Sequence, residues 1–319
     1  MKARSMLMTT AMLVAVAVPA RGQTEAGAQT ASSIPDFSGT WSHPYIPAYE
    51  PPRSGPGPVT NKVRVRQAFG DDGRPLPRTS NMPVSNISRL VGDSTNPILK
   101  PEAAEILRKR GEDSLAGRNY LTPSNQCWPW QMPYIFENLG VEVAQQLDKV
   151  TILYPFNHEF RQIRLNVPHP AQVTPSWYGD SVGHYEGETL VIDTVGIKIG
   201  PYTMADWYGT PQSEAMHVVE RYRLIDYEAA REYWDRNAKE NFRIPSNDGG
   251  AEVDSRYRGR VLQLEFTVED EGVFTAPWSA TITYWRGLNE PQELVCTENP
   301  HEYYAGKDST VPMAERPDF

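Results

Sequence analysis

The sequence has only two cysteines, Cys127 and Cys296, in 319 residues. That is too few for a zinc cage built on thiolates. Basic residues are also short: 31 Lys and Arg stand against 40 Asp and Glu, a formal charge of −9. A chain so acidic is repelled by phosphate, which argues against nucleic acid and anionic membrane as partners. Long hydrophobic runs are missing too. The one uncharged apolar stretch, Met6–Val18, falls short of the roughly 20 residues a membrane-spanning helix needs. No glycine-rich phosphate loop or dinucleotide fingerprint opens a helix after a strand, and no Gly-x-Ser-x-Gly elbow is read in the chain. No His-x-His or His-Glu-x-x-His spacing appears. No internal repeat is visible. These absences leave an expectation of no organic cofactor and no metal.

What is present begins with a leader. Lys2 and Arg4 precede the Met6–Val18 run, and Ala20-Arg21-Gly22 follows as a small-residue cleavage site. Residues 1–22 therefore read as a secretory signal. Its removal takes three cations and no acid, so the mature chain is more acidic still. An exported, periplasmic or secreted protein meets an oxidising compartment. There Cys127 and Cys296 read as one disulfide, with two unpaired thiols as the alternative. Residues 23–35 are small and polar and read as a disordered N-terminus. Residues 36–319 read as a single domain with an N-terminal arm and an irregular C-terminal tail.

Tyr (16), Trp (8) and Pro (28) are plentiful, a composition that long proline-bearing loops between short strands would give. Six prolines between His43 and Thr60 forbid regular pairing there, since each lacks a ladder donor. Asn61 to Asn96 reads as loop. Pro101–Leu115 predicts a helix, with proline at its first position and acids in its first turn, packed outside a sheet. Tyr227–Asn241 predicts a second, capped by Asp226. Val141–Leu147, Asp148-Lys149 and Val150–Tyr154 predict strand, turn and strand, with Leu147 opposite Val150, Gln145 opposite Ile152 and Val143 opposite Tyr154. Phe160–Leu165 continues as strand, Arg161 sharing a face with Ile163 and Leu165. Ala215–Ile225 alternates so that His217 and Glu220 lie on opposite faces. Arg260–Asp270 and Ser279–Trp285 form a further antiparallel pair.

The most informative stretch is Trp177–Thr194, WYGDSVGHYEGETLVIDT. Gly187-Glu188 sits between two alternating runs and predicts a two-residue hairpin turn, glycine supplying the positive φ. Glu186 then faces Thr189, His184 faces Val191 and Val182 faces Asp193. One face carries His184, Glu186 and Asp193, and the other Tyr185, Leu190 and Ile192. A His diagonal to an Asp can be oriented for proton transfer. Its alternative is a solvated polar face.

Asp36-Phe37-Ser38-Gly39-Thr40-Trp41 resembles the opening strand of lipocalins and other calycins, where a Gly-x-Trp sets a tryptophan across the bottom of an antiparallel barrel. More of the chain resembles an uncharacterised family of exported bacterial proteins. The pieces are DFSGTW, Cys127-Trp128-Pro129, Pro168-His169-Pro170, Trp177–Thr194, HVVERYR from His217, Ala276-Pro277-Trp278 and CTEN from Cys296. The resemblance implies a calycin-like fold, from which this chain departs by a long insertion between Ile225 and Arg260.

These readings predict an all-β protein, a lipocalin-like antiparallel barrel or strongly curved sheet with two peripheral helices and long loops, a β-sandwich being the alternative. Roughly eight strands can enclose one small ligand. The expected function is cofactor-independent acid-base chemistry (isomerase, lyase or hydrolase) on a small apolar or aromatic molecule in the lumen. His184 and Asp193 would form a dyad, with Glu186, His158 and His217 as further catalytic candidates. Arg161 would meet an anionic group. Trp128, Trp130, Tyr134, Trp177 and Trp207 would line the pocket, or else close the end of the core. The loop Ile197–Pro211 would form a lid. The alternatives are a non-catalytic carrier with an apolar lumen and a metal site from His158, His184 and His217.

Overall fold

The computed structural model describes residues 34–62, 90–116, 118, 120–243, 252–288 and 295–296. The expected leader, nearly all of residues 23–35, residues 63–89 of the first long loop and most of the tail beyond Gly287 lie outside them.

Among the described residues twelve strands and two helices follow one another: β1 (Gly39–Ser42), β2 (Tyr45–Ile46), α1 (Pro101–Leu115), β3 (Gly140–Gln145), β4 (Lys149–Tyr154), β5 (Glu159–Leu165), β6 (Asp180–Glu186), β7 (Thr189–Val195), β8 (His217–Ile225), α2 (Tyr227–Glu240), β9 (Phe242–Arg243), β10 (Val261–Glu269), β11 (Trp278–Thr283) and β12 (Trp285–Arg286). A 3-10 turn, Tyr134–Glu137, precedes β3. Ten strands form one sheet in the order β11-β10-β8-β7-β6-β5-β4-β3-β1-β12, and β2 pairs with β9. The two edges of that sheet, β11 and β12, are separated in the chain only by Tyr284. A single bent strand thus pairs with β10 at one end and β1 at the other, and the sheet nearly closes into a barrel.

The fold is all-β with two helices, as the sequence predicts. Alternation explains why it closes around a core. Leu190 and Ile192 on β7, Ile163 and Leu165 on β5, and Leu262 and Leu264 on β10 all turn inward and are buried, each worth about 1.5–3 kcal/mol relative to exposure. The β6–β7 hairpin has the predicted register, with Glu186 opposite Thr189, His184 opposite Val191 and Val182 opposite Asp193, and Gly187 turns at φ +59.

Three expectations are corrected. In β3–β4, Gln145 faces Val150 and Val143 faces Ile152, a shift of two residues that leaves Leu147 in a wider turn, 93% exposed. Such a shift keeps every side chain on its face, which is why parity alone did not detect it. Not every joint is antiparallel: β5 and β6 run parallel, paired only through Arg164–Val182 and Leu165–Gly183. Helix α1 has the predicted span, but its buried Leu107 lies with Val59 and Tyr208 around Gly92, among loops. Helix α2 packs on the barrel, its Trp234 stacked on Trp285 at 4.7 Å. Asp226 occupies its cap position without a side-chain cap bond.

Loops plug one end of the barrel. Phe136 packs on Phe266 at 4.8 Å, and Tyr49 packs on the same ring at 5.0 Å. The Tyr49 hydroxyl donates to the carbonyls of Pro133 (2.7 Å) and Ala205 (3.0 Å), so three loop segments meet there.

Candidate functional site

The face shared by His184, Glu186 and Asp193 is the outer one. Leu190 and Ile192 fill the barrel, so residues of opposite parity on the same strands must face away from it. His184 hydrogen-bonds Glu186 at 3.2 Å, and Glu186 also accepts from Arg221 at 2.5 Å. These contacts, Arg221 foremost, hold the Glu186 carboxyl below its ordinary value. The expected His184–Asp193 dyad is not formed. Asp193 instead lies between two other imidazoles, His169 Nε2 at 2.9 Å and His217 Nε2 at 3.0 Å.

The outer cluster goes further. His169 Nδ1 lies 2.6 Å from Asp180, which accepts from Arg164 at 2.7 Å, and His217 Nδ1 faces Glu269 at 3.4 Å. Partial burial opposes charge on His169, but its bonds to Asp180 and Asp193 outweigh that and raise its pKa. Burial likewise works against the Asp193 carboxylate, and the two imidazoles outweigh it and lower its pKa. An imidazole with carboxylates on both nitrogens is a crosslink. It has no nitrogen left for a substrate.

Inside the barrel, Arg161 and Glu220 are 2% and 0% exposed. Arg161 donates to both Glu220 oxygens, at 2.7 and 3.0 Å, and to Ser181, Thr194 and the Tyr154 hydroxyl at 3.1–3.2 Å. Desolvation opposes the guanidinium charge, but Glu220 overcomes it. Arg161 is therefore buried with Ile163 and Leu165, yet its charge is already matched within the chain. Burial pushes Tyr154 up to about 12. The string Gly179-Asp180-Ser181-Val182-Gly183 does satisfy Gly-x-Ser-x-Gly, which the sequence reading passed over. Ser181 sits within strand β6, bonded to Thr194 and Arg161, and not on a strand-to-helix turn. It is no nucleophile elbow.

A third group lies at the head of β5, where the wall parts. Because β5 and β6 pair only near the end of β5, the start of β5 stands opposite the chain entering β6. There Glu159 is 6% exposed. Its Oε1 accepts from the Trp130 N–H at 2.9 Å. The Tyr178 hydroxyl adjoins the carboxyl, while Oε2 is buried with no partner at hydrogen-bond geometry. Desolvation pushes this carboxyl up to about 8, and Trp130 and Tyr178 pull it back only in part. Burial also raises Tyr178, with Glu159 adding to the effect, so its hydroxyl stays a donor. The Met132 N–H donates to the Trp177 carbonyl at 3.3 Å, tying the two flanking segments together.

The aromatic candidates divide. Trp130, Tyr134 and Trp207 are buried and pack on one another at 5.0–5.8 Å, so they close the core, and the Ile197–Pro211 loop that carries Trp207 is packed in and is not an open lid. Trp128 and Trp177 are half-buried, 5.3 Å apart, with Tyr202 beside Trp128 and Lys198 above Trp177 at 4.6 Å. His158 is exposed in the β4–β5 turn, apart from all of these. Cys127 and Cys296 are joined, Cα to Cα 5.4 Å. Among the described residues no group of three His, Cys, Asp or Glu is placed to hold a metal, and no helix is long and apolar enough to cross a membrane.

Sequence reasoning missed His169, Asp180, Glu159 and Tyr178 as site residues. Glu159 had a signal: it shares parity with Arg161, Ile163 and Leu165, so a carboxyl heads an inward stripe. The fold places the chain among all-β proteins built on a nearly closed sheet. Compared with protein-family models, with curated proteins and with solved structures, it matches none.

Proposed function

We propose that the protein is an exported enzyme that removes a proton from the carbon beside a carbonyl in a small aromatic molecule, starting an isomerisation or elimination. The observation that carries this reading is Glu159, a buried carboxyl held on one oxygen by the Trp130 backbone N–H and neighboured by the Tyr178 hydroxyl, with a pKa raised by desolvation to about 8, near a neutral working pH, where a general base works best. The carboxylate takes the proton, and the C–H electrons pass to the carbonyl oxygen. The Tyr178 hydroxyl donates to that oxygen as it gains charge. Where the substrate is a β,γ-unsaturated carbonyl, return of the proton from Glu159 to the γ carbon of the dienolate gives the conjugated isomer; where it carries a leaving group on the β carbon, the enolate electrons form the new C=C bond and the leaving group departs with its bonding pair. Trp128 and Trp177 at the parting of the wall support an aromatic substrate. A carrier with an apolar lumen draws less support, because Arg161–Glu220 and the loop plug occupy the interior.

Incubation in deuterium oxide with a panel of small aryl ketones tests this. The unmodified protein is expected to exchange the hydrogens beside the carbonyl, with kcat/KM rising toward pH 8 and level beyond. Glu159→Gln should lower the rate about 10²–10⁴-fold with an unchanged circular dichroism spectrum. No exchange with any ketone by the unmodified protein, or full activity in the variant, defeats the proposal.

A further inference from the structure

Glu159 is buried, and residues 166–179 reach it through Tyr178, whose hydroxyl adjoins the carboxyl. Of residues 166–176 only His169 and Val173 are not exposed. Among the described residues, 167–175 make no backbone hydrogen bond to the rest of the chain. Pro168, Pro170 and Pro175 stiffen the segment, and left-handed residues stand at its ends, Asn166 at φ +57 and Gly179 at φ +69. It is a stiff flap between two turning points, tied at its margins by backbone bonds of Asn166, Ser176 and Trp177 and in its middle by the His169 side chain.

We propose that residues 166–179 form a pH-governed flap over Glu159, latched shut by His169 between Asp180 and Asp193. The latch needs both ring nitrogens to donate, Nδ1 to Asp180 at 2.6 Å and Nε2 to Asp193 at 2.9 Å. A neutral imidazole has one N–H. Its other nitrogen then sets a lone pair against a carboxylate, and one of the two bonds becomes repulsive. Around the latch Arg164 lies on Asp180, His217 on the second oxygen of Asp193, and Glu269 on His217; the charge on His169 is favoured by the two carboxylates it bridges.

The sign follows from the directions of the shifts. His169 has a raised pKa in the folded protein, so the latch holds in full below its ordinary value and is lost as pH rises through the raised one. Asp193 has a lowered pKa, so its part survives until the pH falls through that lower value. Rising pH therefore frees the flap and ionises Glu159 in the same direction. The latch rests on the reading of Glu159 for its purpose only, and its test needs no substrate.

Hydrogen exchange at the amides of Ser176, Lys198 and Met132, which bond across the margins of the flap, measures its opening in the unliganded protein. After correction for intrinsic chemistry, protection in the unmodified protein should fall at least about tenfold between pH 5.5 and 9, matching one charge-assisted hydrogen bond lost. His169→Gln should give the low value at both pH values. Asp180→Asn, which keeps the size and removes the charge, should do the same if the glutamine variant folds poorly. Protection that is flat with pH in the unmodified protein, or a pH response that persists in both variants, overturns the latch. A working latch on a protein that exchanges no ketone hydrogen would instead remove the Glu159 reading and leave the flap standing.

Discussion

Replacing Arg161 by methionine is expected to cost about 3–5 kcal/mol of folding stability, because it strands a carboxylate in the barrel. Glu220 is fully buried, and among the described residues its hydrogen-bond partners besides Arg161 are neutral hydroxyls, Tyr222 at 3.1 Å and Thr194 at 3.5 Å. The effect should fall toward the upper end of that range because of where the arginine stands. Strands β5 and β6 share only two residue pairs, and Arg161 reaches from β5 to Ser181 on β6, Thr194 on β7 and Glu220 on β8. Outside, Arg164 bonds Asp180 across the same seam. The weakest joint of the wall is thus stapled on both faces. Urea unfolding checks the expectation. The double variant Arg161→Met, Glu220→Gln should recover much of the loss, since it removes the stranded charge along with its partner. A single variant within about 1 kcal/mol of the parent would show that Glu220 is relieved in some other way.

Removing the Cys127–Cys296 disulfide is expected to cost about 2–4 kcal/mol, chiefly by freeing the unfolded chain. The bridge spans 169 residues. It encloses every strand from β3 to β12, so a long loop regains its freedom when it opens. In the native state Cys296 is also held by its N–H on Asn157 Oδ1 at 2.9 Å, so a Cys127→Ser, Cys296→Ser variant should keep the native fold. Its denaturation midpoint should fall, with the slope rising as the unfolded state expands. Equal midpoints for the unmodified protein with and without reductant would refute a stabilising role.

How much of this was legible depends on what periodicity encodes. A period of two assigns side chains to faces, and it did so correctly for β5, β7, β8 and β10, including the separation of His217 from Glu220. It does not fix register, so the β3–β4 pair slid by two residues unseen, whereas the tight turn at Gly187 fixed β6–β7. It does not reveal strand direction either, and the parallel β5–β6 joint follows a loop with no turn signature. A place in the lumen for His184 and Asp193 runs against the pattern itself. If Leu190 and Ile192 fill a barrel, residues of the other parity line its outside. Asp193 was rightly singled out as a histidine partner, but its partners come from Pro168-His169-Pro170 and β8, distant in sequence. Glu159 was overlooked because its burial comes from loops packed over the barrel end, which alternation along one strand cannot show.

The bent strand through Tyr284 also orders events during synthesis. The ring shuts when Trp285 and Arg286 reach β1, and the Arg286 guanidinium settles over the Trp41 ring at 4.9 Å while donating to the Ser38 carbonyl. Hairpins β6–β7 and β10–β11 are local and can form as they emerge, but this contact joins the beginning of the barrel to its end and has the steepest loop-closure cost. Until β11 and β12 are made, β1 and β10 both present unpaired backbone, the surface on which chains aggregate. A chain stopped before Trp278 would keep its hydrophobic pattern, its hairpins and two sticky edges, and its fate would be association with its neighbours.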